Sequence, residues 1–324
     1  MIRRFMGFVG WLGAAMLACH IGVASATYPD KPITLLVPFT SGGTSDIMAR
    51  MLAEHLGKVW AQSVIVQNKP GAGGVIAMTQ AMRSEPDGYT LVLTSSGNTS
   101  ITPYLYKKPP FDSDRDFVNI IVIGEVPFVL VVDQKSPIKT LADYLAAAKA
   151  KPRSLSLGSS GIGSHQYMAA QQFVATAGIE LNLIPYKGTP QQQTDLLGGS
   201  LDSMMDNVIT EIPMIRTNKV RPLAVSSAKR IRQLPDVPTF EESGVRFQSL
   251  PWYGVAAPKA TPADVVQKIQ HEIAAFLNDP ATRAKLEDMG LVPVVSSTEE
   301  ATRRVRADNK EFKNIIDRLG LELQ

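Results

Sequence analysis

Short apolar runs alternate with helix-period segments along almost the whole chain. That alternation narrows the fold class more than any other feature. Residues 33–37 are a nearly unbroken apolar run, the pattern of a strand covered on both faces. Ile47, Met48, Met51, Leu52 and Leu56 then repeat at helical spacing. Residues 63–67 and 89–94 read as the next strands. The pattern resumes with a strand at 155–159, a helix from about Gln166, a strand at 181–186, a helix from about Pro190 and a strand at 220–225. Helices at 258–277 and 280–289, a late strand at 291–294 and an amphipathic helix at 298–319 complete it. Strands alternating with helices predict βαβ units, and so an α/β fold of mainly parallel sheets flanked by helices.

Two apolar segments, 122–132 and 252–257, bracket the middle unit and read as crossings between two lobes. Lobe one is then discontinuous, 27–127 plus 250–324, and lobe two is 128–249. A chain that leaves one lobe and returns makes a two-stranded hinge, an arrangement suited to closure around a ligand. The 324 residues, with 44% hydrophobic and 19% charged side chains, suffice for two ordinary globular domains.

Residues 1–26 read as a signal peptide. Arg3 and Arg4 form a positive start, 8–17 is an apolar stretch too short to span a bilayer, and Ala24-Ser25-Ala26 fits a small-residue cleavage site. Periplasmic localisation follows. Loss of Arg3 and Arg4 takes the net charge from +3 to +1, and no dense Lys/Arg run suggests a nucleic-acid partner. The single cysteine, Cys19, lies in the leader within a poor lipoprotein box, so the mature chain is expected to lack disulfides and thiol chemistry.

Two loops carry the chemistry. Phe39-Thr40-Ser41-Gly42-Gly43-Thr44-Ser45-Asp46 runs from a buried strand into a helix. Glycines let the backbone approach a ligand, and free N–H groups of a first helical turn favour an anion. A capping role for Ser45 or Asp46, with glycines merely making the turn, fits the same spacing. Gly158-Ser159-Ser160-Gly161-Ile162-Gly163-Ser164 has the same design in the other lobe. Two such loops facing each other would hold a carboxylate, or a dicarboxylate at both ends. Among the aromatics near strand ends and crossings, Phe39, Tyr104, Tyr186, Trp252 and Tyr253 are candidates for the pocket wall.

Enzymatic readings are weaker. Gly161-Ile162-Gly163 lacks the third glycine of a dinucleotide fingerprint, and no Gly-x-Ser-x-Gly elbow surrounds Ser159 or Ser164. No His/Cys/carboxylate grouping has metal-ligand spacing, so neither metal nor cofactor is expected. Asp202 and Asp206 could form an acid/base couple, against a simpler reading as one solvated carboxylate and one loop residue. An exported hydrolase using Ser164 and His165 is the main alternative, and a signalling receptor without a transport role is another.

The sequence resembles the Bug-type receptors, the substrate-binding proteins of tripartite tricarboxylate transporters. The resemblance rests on Tyr28-Pro29-Asp30-Lys31-Pro32-Ile33, Val37-Pro38-Phe39 with Gly42-Gly43 and Asp46, and Asn68-Lys69-Pro70-Gly71-Ala72-Gly73-Gly74. Tyr186-Lys187-Gly188, Leu196-Leu197-Gly198-Gly199, Asp206-Asn207 and Leu234-Pro235-Asp236-Val237-Pro238-Thr239 follow in the family's order. It implies a two-lobed, type II-like periplasmic binding protein, without catalytic activity, that acts as a monomer. Its ligand would be a small organic carboxylate, delivered to a membrane permease. Carried over position by position, the implied contacts are Ser41, Gly42, Gly43, Thr44 and Asp46 from the first loop, and Ser159, Gly163 and Ser164 from the second. Asp206 and Asn207 would close from lobe two, and Ser96 and Asn98 would add polar contacts. The chain departs from the family pattern at Ser41, His165, Tyr167 and Gln171. His165 and Tyr167 are therefore expected to reshape the pocket wall, and His165, set beside a carboxylate, to gain charge at mildly acid pH.

Overall fold

The computed structural model describes residues 28–321, so the leader assigned to 1–26 lies outside the described residues. In chain order the elements are β1 (Ile33–Val37), α1 (Thr44–Trp60), β2 (Val64–Asn68), α2 (Val75–Met82), β3 (Thr90–Ser95), α3 (Ser96–Ser100), β4 (Phe117–Glu125), β5 (Phe128–Asp133) and α4 (Leu141–Ala150). They continue as β6 (Ser156–Ser160), α5 (His165–Ala177), β7 (Asn182–Tyr186), α6 (Thr189–Leu197), β8 (Ser203–Asn207), α7 (Val208–Arg216) and β9 (Val220–Val225). The last are β10 (Trp252–Pro258), α8 (Ala263–Asn278), α9 (Pro280–Asp288), β11 (Val292–Pro293) and α10 (Thr298–Leu319).

The strands form two sheets, ordered β11-β4-β10-β3-β1-β2 and β7-β6-β8-β5-β9. In the first, β1 pairs in parallel with β2 and β3. In the second, β6 pairs in parallel with β7 and β8. The βα units therefore pair as expected, but the sheets are mixed rather than mainly parallel. β10 runs antiparallel to β3 and β4, and β5 runs antiparallel to β8 and β9. The reason is geometric: a strand that carries the chain between sheets arrives from the opposite end and pairs head to tail. The expected crossing at 122–132 is accordingly two strands, β4 in one sheet and β5 in the other, broken at Val126-Pro127.

Burial explains the apolar runs. Ile33, Leu35, Leu36 and Val37 are all inaccessible, covered on one face by α1 residues such as Leu52 and Leu56 and on the other by Met78 of α2 and Phe111. Each such side chain contributes roughly 1.5–3 kcal/mol of transfer free energy. The core runs on through the hinge, because α7 residues Val208 and Ile212 pack against the Gly290 turn that leads into β11. Helix α10 then lies across the crossing strands. Its Ala301 and Val305 pack on Val122 and Trp252, and the Trp252 indole N–H donates to Asp308 at 2.5 Å. All these parallel βα units open their strand-to-helix loops at one edge, where the two sheets meet.

Candidate functional site

Five helix N-termini converge on one cavity between the sheets. Gly43, Ser95, Ser164, Gly188 and Asn207, the N-cap residues of α1, α3, α5, α6 and α7, all line it. Phe39, Phe128, Pro251 and Tyr253 supply its apolar surface. Its volume is about 40 Å³, room for a few waters at roughly 10–15 Å³ each.

The first loop is held by Asp46. Its carboxylate accepts from the Gly42 N–H (3.0 Å), Ser41 Oγ (3.1 Å), Arg50 Nε (2.9 Å) and Asn68 Nδ2 (2.9 Å). Burial pushes this carboxyl up, but the bonds from Arg50, Gly42, Asn68 and Ser41 together outweigh it and hold its pKa at about 2. Asp46 is thus turned back into the loop and does not cap α1. Gly42 takes φ +87°, which favours glycine, and Gly43 stands at the N-cap with no side chain closing the turn. The first-turn N–H groups of α1 are left uncapped at the cavity wall, beside Thr44 and Ser45.

The second loop is built differently. Ser164 accepts from the Tyr167 N–H at 3.0 Å and donates to the Ser160 carbonyl at 2.9 Å, so it caps α5. Gln166 accepts from the Ser160 N–H at 2.7 Å and donates to the Met205 carbonyl. The capping reading, which fails for Ser45 and Asp46, holds for Ser164.

Of the residues expected at the site, the cavity gathers Phe39, Gly43, Thr44, Ser164, His165, Asp206 and Asn207. Ser41, Gly42 and Asp46 shape the first loop from behind. Ser96 instead meets His165 Nδ1 at 2.5 Å, and Asn98 accepts from the Ser95 N–H at 2.9 Å to close the capping box of α3. Gly163 takes φ +94° and its carbonyl accepts from Thr102 Oγ1 at 2.9 Å, while Ser159 is fully buried in β6 away from the wall. Of the other aromatic candidates, Tyr253 lines the cavity. Tyr186 bonds Asp195, Tyr104 packs with Ile101 and Phe312, and Trp252 is core. Sequence reasoning left Phe128, Gln166, Gly188 and Thr189 out of the site. The Tyr186-Lys187-Gly188 motif was the available signal for the last two, as a third strand-to-helix loop.

His165 behaves differently from expectation. Its ring is buried between Ser96 and Ser249 Oγ (3.0 Å), with Phe128 and Phe312 edge-on. Burial, with Arg304 adding to it, pushes its pKa down to about 3, so it stays neutral at mildly acid pH. Tyr167 leaves the wall and accepts from Gln171 Nε2 at 2.9 Å. Ser164 and His165 do not bond each other, and the two serines that touch the ring, Ser96 and Ser249, do not line the cavity. Ser164 and His165 therefore do not form a nucleophile–base pair.

Asp206 is not a loop residue: it sits on β8, 1% exposed, while Asp202 on the surface accepts from the Ser156 N–H at 2.8 Å. The partner of Asp206 in titration is Glu211. Burial raises both carboxyls, and the charge of Asp206 raises Glu211 further, so the pair resists double ionisation. Tyr253 is raised by burial and then by Asp206, and its hydroxyl accepts from Asn207 Nδ2 at 2.9 Å. Among the described lining residues there is no Lys or Arg.

The halves of the molecule meet closely around this cavity. A Cβ on Gly97 of α3 would lie 2.6 Å from the His165 backbone nitrogen, and one on Gly188 would lie 1.9 Å from Thr40 Oγ1.

Two α/β lobes joined by crossing strands, with helix N-termini gathered in the cleft, define a solute-binding protein. The comparisons narrow the class. A family model described as tripartite tricarboxylate transporter family receptor matches residues 48–321, and the chain belongs to that family. Protein BugT of Bordetella pertussis is 33% identical over 326 residues, covering 100% of this chain and 99% of its own. The structure of R. palustris Rpa4515 with adipate superposes with TM-score 0.87 at 33% identity, covering 90% of this chain and 98% of that one. MatC (Rpa3494) from Rhodopseudomonas palustris with bound malate gives 0.84 at 26% identity, covering 89% and 100%.

Proposed function

We propose that the protein is a periplasmic receptor that closes its lobes, 27–127 plus 250–324 and 128–249, on a small organic carboxylate for delivery to a tripartite tricarboxylate-type permease. One observation carries this reading: helix N-termini line a cavity that holds no cationic side chain among its described residues, and those of α1, α6 and α7 have no side-chain cap. Uncapped N–H groups and aligned peptide dipoles attract an anion without burying a counter-charge. Binding of adipate and malate by structural relatives supports the same ligand class. Closure needs contacts from both lobes, and α1 and α3 supply them from one side, α5, α6 and α7 from the other. The receptor is exported through cleavage after residue 26, works as a monomer and performs no catalysis.

The test is a thermal-shift screen of residues 27–324 against mono-, di-, tri- and aromatic carboxylates. A ligand that binds only the folded state raises the melting temperature when well above its dissociation constant. A shift confined to one chemical group is the expected result. A well-folded sample that responds to none of them overturns the reading.

A further inference from the structure

One imidazole ties the two lobes together. The ring of His165, at the start of α5 in lobe two, meets Ser96 Oγ of α3 in lobe one through Nδ1 at 2.5 Å. Its Nε2 meets Ser249 Oγ, where the chain turns back toward lobe one, at 3.0 Å. The two rings edge-on to it divide in the same way, Phe128 from lobe two and Phe312 of α10 from lobe one. A rotation that separates the lobes therefore strips His165 of Ser96 and Phe312 together. The ring is also a thin partition. It lines the cleft cavity, and it lines a second groove of about 320 Å³ between Gln172 of α5 and Arg304, Glu311 and Phe312 of α10.

The tie suits a neutral ring. Both serine hydroxyls can reorient to accept from an imidazolium, but no carboxylate touches it. The charged groups that face it come from two elements. α10 brings Arg304, Asp308 and Glu311, and β8 brings Asp206, which lines the same cavity. Arg304, held by Glu125 at 3.0 Å and by Asp308 at 3.2 Å, disfavours a second cation beside it. Asp308 is engaged by Trp252 and Arg304. α3, α5 and residues 247–251 carry no charged side chain, and β5 has only Asp133 at its far end. A buried imidazolium without a counter-charge is costly, and one in water is not.

We propose that His165 is a pH-operated tie: neutral, it fastens lobe two to lobe one, and a proton taken up by the open form keeps the lobes apart. Acid pH then opens the receptor and weakens its hold on whatever the cleft contains, with no change in the groups that grip the ligand. The dry form is the closed one, and that fixes the sign. The open form titrates near the ordinary value of about 6.5 and the closed form well below it, so each pH unit below 6.5 favours the open form about tenfold more. The tie acts on lobe closure and is independent of the ligand's chemical class.

Ligand-free residues 27–324 test it by proton NMR and small-angle scattering from pH 8 to 4. The only histidines there are His55, His165 and His271, so a His55→Gln, His271→Gln double variant keeps His165 as its single imidazole. Its ring resonance is expected to titrate with a midpoint between about 4 and 6.5, and the radius of gyration to rise with the same midpoint. His165→Gln is expected to keep one radius across that range. A ring resonance constant down to pH 4 overturns the proposal, as does titration at unchanged radius, or a His165→Gln protein that still opens with the parent's midpoint. If His165→Gln does not fold, Ser96→Ala replaces it. Removing the lobe-one partner should move both midpoints toward 6.5, and unmoved midpoints overturn the tie.

Discussion

The carboxylate of Asp46 collects bonds from Gly42, Ser41, Asn68 and Arg50, and it keeps the loop in shape from outside the cavity. Its pKa is depressed, to about 2, so the stability it confers is present in full above the unfolded value near 4 and is lost as pH falls through 2. Asp46→Asn is expected to cost about 2 kcal/mol at neutral pH. In urea denaturation, that cost should shrink as the pH approaches 2. His165 works with the same sign for a different reason. Its folded pKa is lowered to about 3, so the unfolded chain takes up the proton first, and stability declines as pH falls from about 6.5 toward 3. In the closed, ligand-bound protein its ring resonance, assigned by its loss in His165→Gln, should stay constant from pH 8 to 5. Titration in that range would contradict the burial. Residue types were a partial guide at this scale. Asp46 and Asn98 stood in loop motifs and read as ligand contacts, yet both bind their own backbone. A short polar side chain near a turn has that local option in every sequence, and spacing does not reveal which one it takes.

At the scale of elements, α1 forgoes a cap and α5 has one. Gly43 sits at φ −84° and ψ 171°, a geometry any residue adopts, and a Cβ there meets nothing closer than 3.5 Å. Gly43→Asp should therefore cap α1, raising stability by a few tenths of a kcal/mol. The same carboxylate would occupy the N–H groups proposed for the ligand, so affinity for acids is expected to fall about a hundredfold or more. Unchanged calorimetric binding would place the anion elsewhere. Most elements were legible because apolar runs and helical spacing mark them. Three were not. β8 carries Asp206 and Asn207 at buried positions, where apolar patterning is silent. α3 is five residues of Ser, Gly, Asn and Thr, composed like a loop and held by its capping box. α7 has Pro213 in its interior, which reads as a break.

For the whole molecule, the two crossings were visible as apolar segments, so the two-lobed plan was legible. The mixed pairing was not, since register and direction depend on where the chain re-enters a sheet. Closure depends on glycines that let backbones touch. Gly97 packs against the main chain of Ser164 and His165, which no side-chain rotation can relieve. Gly97→Ala should wedge the halves apart, enlarging the radius of gyration in small-angle scattering and weakening ligand binding about tenfold. A variant as compact and as tight as the parent would show that the contact yields. Phe39, Thr44, Thr189 and Phe128 decorate the cavity, but the N–H groups of its helix ends belong to every amino acid except proline. The gripping part of the receptor is therefore written in geometry rather than in residue identity. Such a device can be retuned to a new molecule by exchanging a few decorations while the anion grip stays intact, which makes this cleft a practical chassis for building sensors of acids it never met in nature.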